Sequence, residues 1–160
     1  MEKKQICYDL LEELKIEYKK VEHEAVYTCE EMDKLHLNDY GIVLKNLFLR
    51  DGKGKKHFLV VFKGEKEVNL KELGENIGSR LSFASEERLL KYLNLTKGSV
   101  TPLGVYFDKE HEVYVYFDDE LSEDDIVGVH PFENTATIYL KFGELKRIVM
   151  KNNSCKMMKL

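Results

Sequence analysis

The sequence predicts a single α+β domain with a mixed, largely antiparallel sheet and surrounding helices. Three observations predict it. Segments with apolar residues at helical spacing alternate with short apolar strands. The strands come in pairs joined by short polar or glycine-containing turns, as in hairpins. No linker composition divides the 160 residues, a length that suits one domain with its own core.

Residues 2–16 place Ile6, Leu10, Leu11 and Leu14 at helical spacing, so a helix is expected. Residues 18–21 read as a short strand. Thr28, followed three residues later by Glu31, forms a capping box and opens a short helix through Leu35. Residues 42–50 are apolar and strand-like, Asp51-Gly52-Lys53-Gly54 reads as a hairpin turn, and 57–62 is the returning strand. Helices are expected over 70–77 and 85–93, the second with Ser85 as cap and Glu86 and Glu87 at its positive end. Strands are expected at 105–107 and 113–117, around a polar turn at 108–112, and again at 126–129 and 135–140. Residues 142–150 form a last helix, and 151–160 read as a frayed basic tail beyond a domain of residues 1–150.

Composition excludes several classes. Two prolines and ten glycines rule out collagen-like and low-complexity chains. No run of about 18 apolar residues exists, so no membrane span is expected. The N-terminus carries no apolar signal core, and Cys7, Cys29 and Cys155 are odd in number and far apart. Both facts point to a reducing cytoplasm. The five histidines show no metal-ligand spacing, so neither metal nor cofactor is expected. A net charge of −4 argues against a general basic coat for nucleic acid, and DNA is not expected as a partner. The charge is uneven, however. Residues 108–125 carry a net −8, residues 141–160 a net +5, and Lys53, Lys55 and Lys56 form a second basic run. Solvated surface and contact with a polyanion both account for such runs.

Three features stand out as candidate chemistry. Period-two alternation puts Lys45 on one strand face with Val43, Leu47 and Leu49, so its ammonium must snorkel, pair with an acid or meet an anionic ligand. The other face carries Leu44, Asn46 and Phe48, so the strand is central and Asn46 also needs partners. His130 ends an apolar strand just before Pro131, at the sort of position where sites are built, although a structural histidine is equally at home there. Gly98-Ser99-Val100-Thr101-Pro102-Leu103-Gly104 specifies a shaped loop, which either presents N–H groups to an oxyanion or is only a tight connection. Ser99 has no evident partner histidine.

The segments Lys45-Asn46-Leu47-Phe48-Leu49-Arg50-Asp51, Ser82-Phe83-Ala84-Ser85-Glu86-Glu87, Gly98-Ser99-Val100-Thr101-Pro102, and Val129-His130-Pro131 with Asn134-Thr135-Ala136-Thr137 occur in that order. Together, over residues 5–150, they resemble the YbaK/prolyl-tRNA-synthetase-associated editing domain family. Within it they are closest to the freestanding alanyl-tRNA(Pro) deacylases of the ProXp-ala/PrdX branch. The resemblance implies the fold of that family and trans-editing, the hydrolysis of Ala-tRNA(Pro) to alanine and tRNA(Pro). Prolyl-tRNA synthetase mischarges alanine because a pocket discriminates poorly against a smaller apolar substrate.

The resemblance also implies roles. Lys45 supplies a cation near the terminal nucleotide, and Asn46 either orients substrate or braces the strand. The backbone from Gly98 through Ser99, Val100 and Thr101 to Pro102 holds the ester carbonyl. His130 shapes the small pocket and contacts the alanyl amine or a water, and the substrate's own ribose 2′-hydroxyl assists. Asn134 is a further substrate contact and Asp118 a weaker one. Ile42, Val43 and Leu47 either line a size filter or pack the core. Lys53, Lys55, Lys56, Lys146, Arg147 and Lys151 are candidate phosphate contacts to the tRNA acceptor end, and prolyl-tRNA synthetase is a candidate partner. Three competing readings remain: deacylation of cysteinyl- or seryl-tRNA, a non-catalytic tRNA- or synthetase-binding module, and a small-molecule pocket protein.

Overall fold

In the computed structural model, which describes residues 2–160, the elements are α1 (Lys3–Glu13), β1 (Lys19–Glu22), α2 (Cys29–Lys34), β2 (Ile42–Asp51), β3 (His57–Lys63), α3 (Leu70–Ile77) and β4 (Leu81–Phe83), followed by α4 (Glu86–Leu93), β5 (Val113–Asp118), β6 (Ile126–Val129), β7 (Ala136–Lys141), α5 (Phe142–Asn152) and β8 (Cys155–Met158). Met1, where the expected domain starts, and the side chain of Cys29 lie outside the described residues. The strands form one sheet in the order β1–β7–β6–β2–β3–β5–β8, with β4 also on β2. Among the described residues four pairings are antiparallel (β1/β7, β6/β7, β2/β3, β2/β4). Three are parallel (β2/β6, β3/β5, β5/β8). The expected mixed sheet, largely antiparallel, is present with a parallel arm.

The alternation of β2 decides which layer each residue joins. Leu44 and Phe48 face the larger core, shared with Leu11 of α1, Leu89 and Leu93 of α4, and Leu145 and Val149 of α5. Leu49 faces a smaller core with Phe58, Val60, Phe62 and Leu73 of α3. Burial of each such side chain contributes about 1.5–3 kcal/mol. In β3 every residue from His57 to Phe62 is buried, which suits a strand covered on both faces.

Local chemistry sets the helix starts. Thr28 Oγ1 accepts the Glu31 N–H at 3.1 Å, Asn69 Oδ1 accepts the N–H groups of Lys71 and Glu72, and Ser85 Oγ accepts that of Arg88 at 3.2 Å. Helix α3 stops at Gly78, whose φ of +85° is the left-handed stop that glycine permits.

Two expectations are corrected. Residues 105–107 are not a strand but the end of a 3₁₀ helix over Pro102–Phe107. Thr101 caps it and Pro102 occupies its first turn, where a missing N–H costs nothing. The chain end does not fray. α5 runs to Asn152, and β8 then joins β5 in parallel. The turn between them is tied down by the buried Asn153, whose Nδ2 donates to Asp108 Oδ2 at 2.6 Å and to the Val113 carbonyl at 2.8 Å. Among the described residues no helix is long and apolar enough to cross a membrane.

Candidate active site

The site begins as a break in the sheet. β3 covers one edge of β2 from Leu44 to Arg50. The other edge is paired with β6 at Ile42–Val43 and with β4 at Leu49–Asp51, and among the described residues no strand pairs with it between. The Phe48 carbonyl accepts the Ala84 N–H at 3.0 Å, so it points to this second edge. Backbone groups alternate sides along a strand, which turns the N–H and C=O of Asn46 toward the gap.

A cleft of about 660 Å³ fills the gap. Val43–Phe48 form its floor. Its walls come from Val26–Thr28 and Met32, from Phe83–Glu86 and Leu89, from Lys97, Gly98 and Val100, and from Gly128–His130 with Thr137. Lys45 is exposed here and also borders an adjoining depression with Asp33, Asp39, Lys63 and Glu65. Among the described residues no carboxylate pairs with it. Of the three fates open to a lysine on that strand, snorkelling to the rim of the cleft is the one realised.

Asn46 bridges floor and loop. Its Nδ2 donates to the Val100 carbonyl at 3.2 Å, while its Oδ1 is buried with no hydrogen-bond partner. An unpartnered buried acceptor is costly.

The loop contributes less than expected. Gly98 has φ +91°, and a Cβ there would lie 3.0 Å from Tyr27 Cδ1, so the position requires glycine. Gly98 and Val100 line the cleft. Ser99 is buried and its N–H is spent on the Thr96 carbonyl. Thr101 is buried and caps the 3₁₀ helix that Pro102, also buried, begins. The last three therefore shape the loop from behind and do not line the cleft.

His130 does line it. The β6–β7 register pairs Val129 with Ile138, which carries His130 to a position opposite Thr137. His130 Nδ1 donates to the Ala136 carbonyl at 3.1 Å, so the other ring nitrogen, Nε2, is left as an acceptor in the neutral ring. Burial pushes its pKa down, opposed by the Ala136 bond and helped by His23, which favours that neutral ring. Beyond Thr137 the row continues. Thr137 Oγ1 lies 2.8 Å from His23 Nε2, and His23 Nδ1 donates to the Glu24 carbonyl at 2.7 Å. The hydroxyls at the cleft are thus engaged: Thr28 and Ser85 cap helices, and Thr137, 1% exposed, is bound to His23.

Asn134 does not line the cleft either. Its Nδ2 donates to the Val26 carbonyl at 3.1 Å and braces the Val26–Thr28 wall. Asp118 lies elsewhere, fully buried at the end of β5, with Lys66 Nζ 2.8 Å away and the Glu120 N–H at 3.0 Å. It is a structural ion pair rather than a substrate ligand. Val43 and Leu47 line the cleft, whereas Ile42 borders only the adjoining depression.

The basic runs differ. Lys53, Lys55 and Lys56 are exposed on the β2–β3 turn, which Arg88 of α4 holds through bonds to the Gly54 carbonyl at 2.9 Å and His57 Nε2 at 3.0 Å. On α5, Lys146 pairs with Glu123 at 3.3 Å and Arg147 with Glu144, so both are partly neutralised, while Lys151 is exposed. None of the three lines the cleft. Tyr27, Met32 and Lys97 were not singled out in the sequence, and Phe83 and Thr137 stood in the quoted segments without a role, because only the fold gathers them.

Three comparisons bear on this arrangement. A family model described as the aminoacyl-tRNA editing domain matches residues 23–148. The "Prolyl-tRNA editing protein ProX" of Acetoanaerobium sticklandii is 48% identical over 155 residues, 96% of this chain and 94% of that protein. The "Prolyl-tRNA synthetase associated domain-containing protein 1" of Danio rerio is 35% identical over 144 residues, 88% of this chain and 78% of that protein. A crystal structure described as a candidate trans-editing enzyme for prolyl tRNA synthetase superposes with a TM-score of 0.76 at 19% identity, covering 100% of this chain and 97% of the other. At that identity the likeness speaks for the fold alone.

Proposed function

This chain belongs to the aminoacyl-tRNA editing domain family, and from that premise we propose that it acts in trans on mischarged tRNA(Pro), hydrolysing Ala-tRNA(Pro) to alanine and tRNA(Pro). One observation carries the reading. At the unpaired stretch of β2, an unpaired lysine, an orphaned Asn46 Oδ1, the Gly98–Val100 backbone and a neutral His130 share one cleft.

Each has a task in ester hydrolysis. Water adds to the ester carbonyl carbon, and negative charge develops on the carbonyl oxygen. In this reading the loop of Gly98 and Val100, which lines the cleft, donates backbone N–H groups to that oxygen. The C–O bond to the ribose then breaks, and the proton from water passes to the leaving ribose oxygen, with the neighbouring 2′-hydroxyl of the substrate as its carrier. No protein acid–base pair is then required. Lys45 meets the phosphate of the terminal nucleotide. Asn46 Oδ1 and His130 Nε2, both acceptors, meet donors of the aminoacyl end. Val43 and Leu47 limit the side chain to the size of alanine and exclude proline.

The hairpin lysines extend the contact. Six residues separate Lys45 from Asp51, about 20 Å along an extended strand. In this reading Lys53, Lys55 and Lys56 meet phosphates of the acceptor stem, positioning the tRNA without reading its bases.

The test is release of labelled amino acid from Ala-tRNA(Pro), with Pro-tRNA(Pro), Cys-tRNA(Pro) and Ala-tRNA(Ala) alongside. Selective loss of alanine from tRNA(Pro) is expected. Preferential loss of cysteine would replace the substrate, and survival of all four esters would end the deacylase reading.

A further inference from the structure

Two aromatic rings at the cleft stand in solvent on well-fixed backbone. Tyr27 is 69% and Phe83 62% exposed, and both line the cleft. Phe83 is held in β4, opposite Leu49 of β2. Tyr27 sits between the Val26 carbonyl bonded by Asn134 and the cap residue Thr28, with the edge of its ring against Gly98. Among the described residues neither ring stacks on another ring of the protein. Two exposed cations, Lys45 and Lys97, line the same cleft.

Fixed, unstacked aromatic rings interleaved with lysines match the chemistry of unpaired nucleotides, whose bases stack on rings while their phosphates meet cations. Continuity with the ester site selects the same ligand. The terminal base is attached to the ribose that bears the ester, so it must rest at the rim of this cleft.

We propose that Tyr27 and Phe83 form a stacking platform for the unpaired 3′-terminal bases of the aminoacylated RNA, with Lys45 and Lys97 meeting the phosphates between them. Tyr27, against the Gly98 backbone, takes the terminal base, and Phe83, on β4, takes the next. The inference rests on the deacylase reading for the identity of its ligand. Stacking tolerates any base, so this platform orders the end of the RNA without reading its sequence.

The experiment uses a short acceptor-stem RNA whose terminal nucleoside carries alanine through a non-hydrolysable 3′-amide, with 2-aminopurine at the terminal or the preceding position. Stacking on a ring quenches 2-aminopurine fluorescence. Wild type is expected to quench both probes. Tyr27→Leu should relieve quenching at the terminal probe and Phe83→Leu at the preceding one, each weakening binding about 5- to 150-fold. Tyr27→Trp and Phe83→Trp should restore both signals. The platform is overturned if the two leucine variants, singly and combined, leave quenching and Kd within twofold of wild type, or if wild type does not bind the RNA. Quenching by a wild-type protein that hydrolyses none of the four esters would end the deacylase reading and leave the platform standing.

Discussion

Replacing Asn46 by leucine separates stability from activity in an unusual direction. The side chain makes one bond within the protein, from Nδ2 to the Val100 carbonyl, and leaves Oδ1 buried without a partner. Losing the bond costs about 0.5–1.5 kcal/mol. Removing a buried, unsatisfied acceptor returns about 1–3 kcal/mol, and leucine is close to asparagine in size. The freed Val100 carbonyl faces an open cleft and can be solvated. The net runs from a loss of about 0.5 to a gain of about 2.5 kcal/mol, the gain equal to a rise in Tm of up to about 10 °C for a domain of this length. Hydrolysis, in contrast, loses an acceptor that meets the substrate. The single-turnover rate on Ala-tRNA(Pro) should fall about 10- to 100-fold, equivalent to about 1.4–2.7 kcal/mol. Thermal and urea unfolding give the first quantity and rapid-quench deacylation the second. A loss of more than about 2 kcal/mol of stability would make Asn46 a structural brace and refute the reasoning, as would a wild-type rate.

Other outcomes follow from the same geometry. Burial holds His57 and His130 below the usual histidine range, with Arg88 adding to the shift at His57. Below about pH 6.5 the unfolded chain therefore takes up protons that the folded chain refuses, and stability falls as pH drops through that window. Unfolding of His57→Gln and His130→Gln between pH 7.5 and 5 should show a flatter profile, and an unchanged slope in both would contradict this. Gly98→Ala forces a side chain into the left-handed region and against the Tyr27 ring, so a loss of about 1–2 kcal/mol in urea unfolding is expected, together with slower deacylation. Lys66→Met strips the buried Asp118 of its cation and should cost about 3–5 kcal/mol, while activity per folded molecule stays at wild type because neither residue lines the cleft. Combined alanine substitution of Lys53, Lys55 and Lys56 should raise KM and reduce the slope of log KM against log salt by up to about 3, with kcat unchanged.

Much of the architecture was legible because it rests on strong local signals. The β2–β3 hairpin follows from two apolar runs around Asp51-Gly52-Lys53-Gly54, and the starts of α2 and α4 from Thr28 and Ser85. The failures have physical causes. β4 has three residues, too few for periodicity to register. β8 alternates neither in burial nor in polarity, and a single buried asparagine at position 153 anchors its start. The 3₁₀ helix was announced by Thr101 and Pro102, a cap followed by a first-turn proline, but the apolar Val105–Phe107 that follows mimics a strand. At the site, Lys45, Asn46, Gly98 and His130 are conspicuous as polar or conformationally special residues, and Val100 enters only as part of the glycine- and proline-marked loop. Tyr27, Lys97 and Thr137 are ordinary residues that become neighbours only when strands distant in sequence pair. Asp118 misled because a carboxylate at a strand end looks the same whether it meets a substrate or, as here, a lysine from its own chain.

The interrupted edge of β2 also bears on how the protein is made. Its floor residues emerge from the ribosome early, but the gap is bounded only after β6 has paired with β2, and β6 rests on β7, which ends at Lys141. A nascent chain shorter than that leaves Ile42 and Val43 unpaired as well, so the bare edge runs unbroken from Ile42 to Phe48. Such an edge is a template for pairing with other chains. Activity and protection from aggregation therefore arrive together, late in synthesis, when the last wall closes.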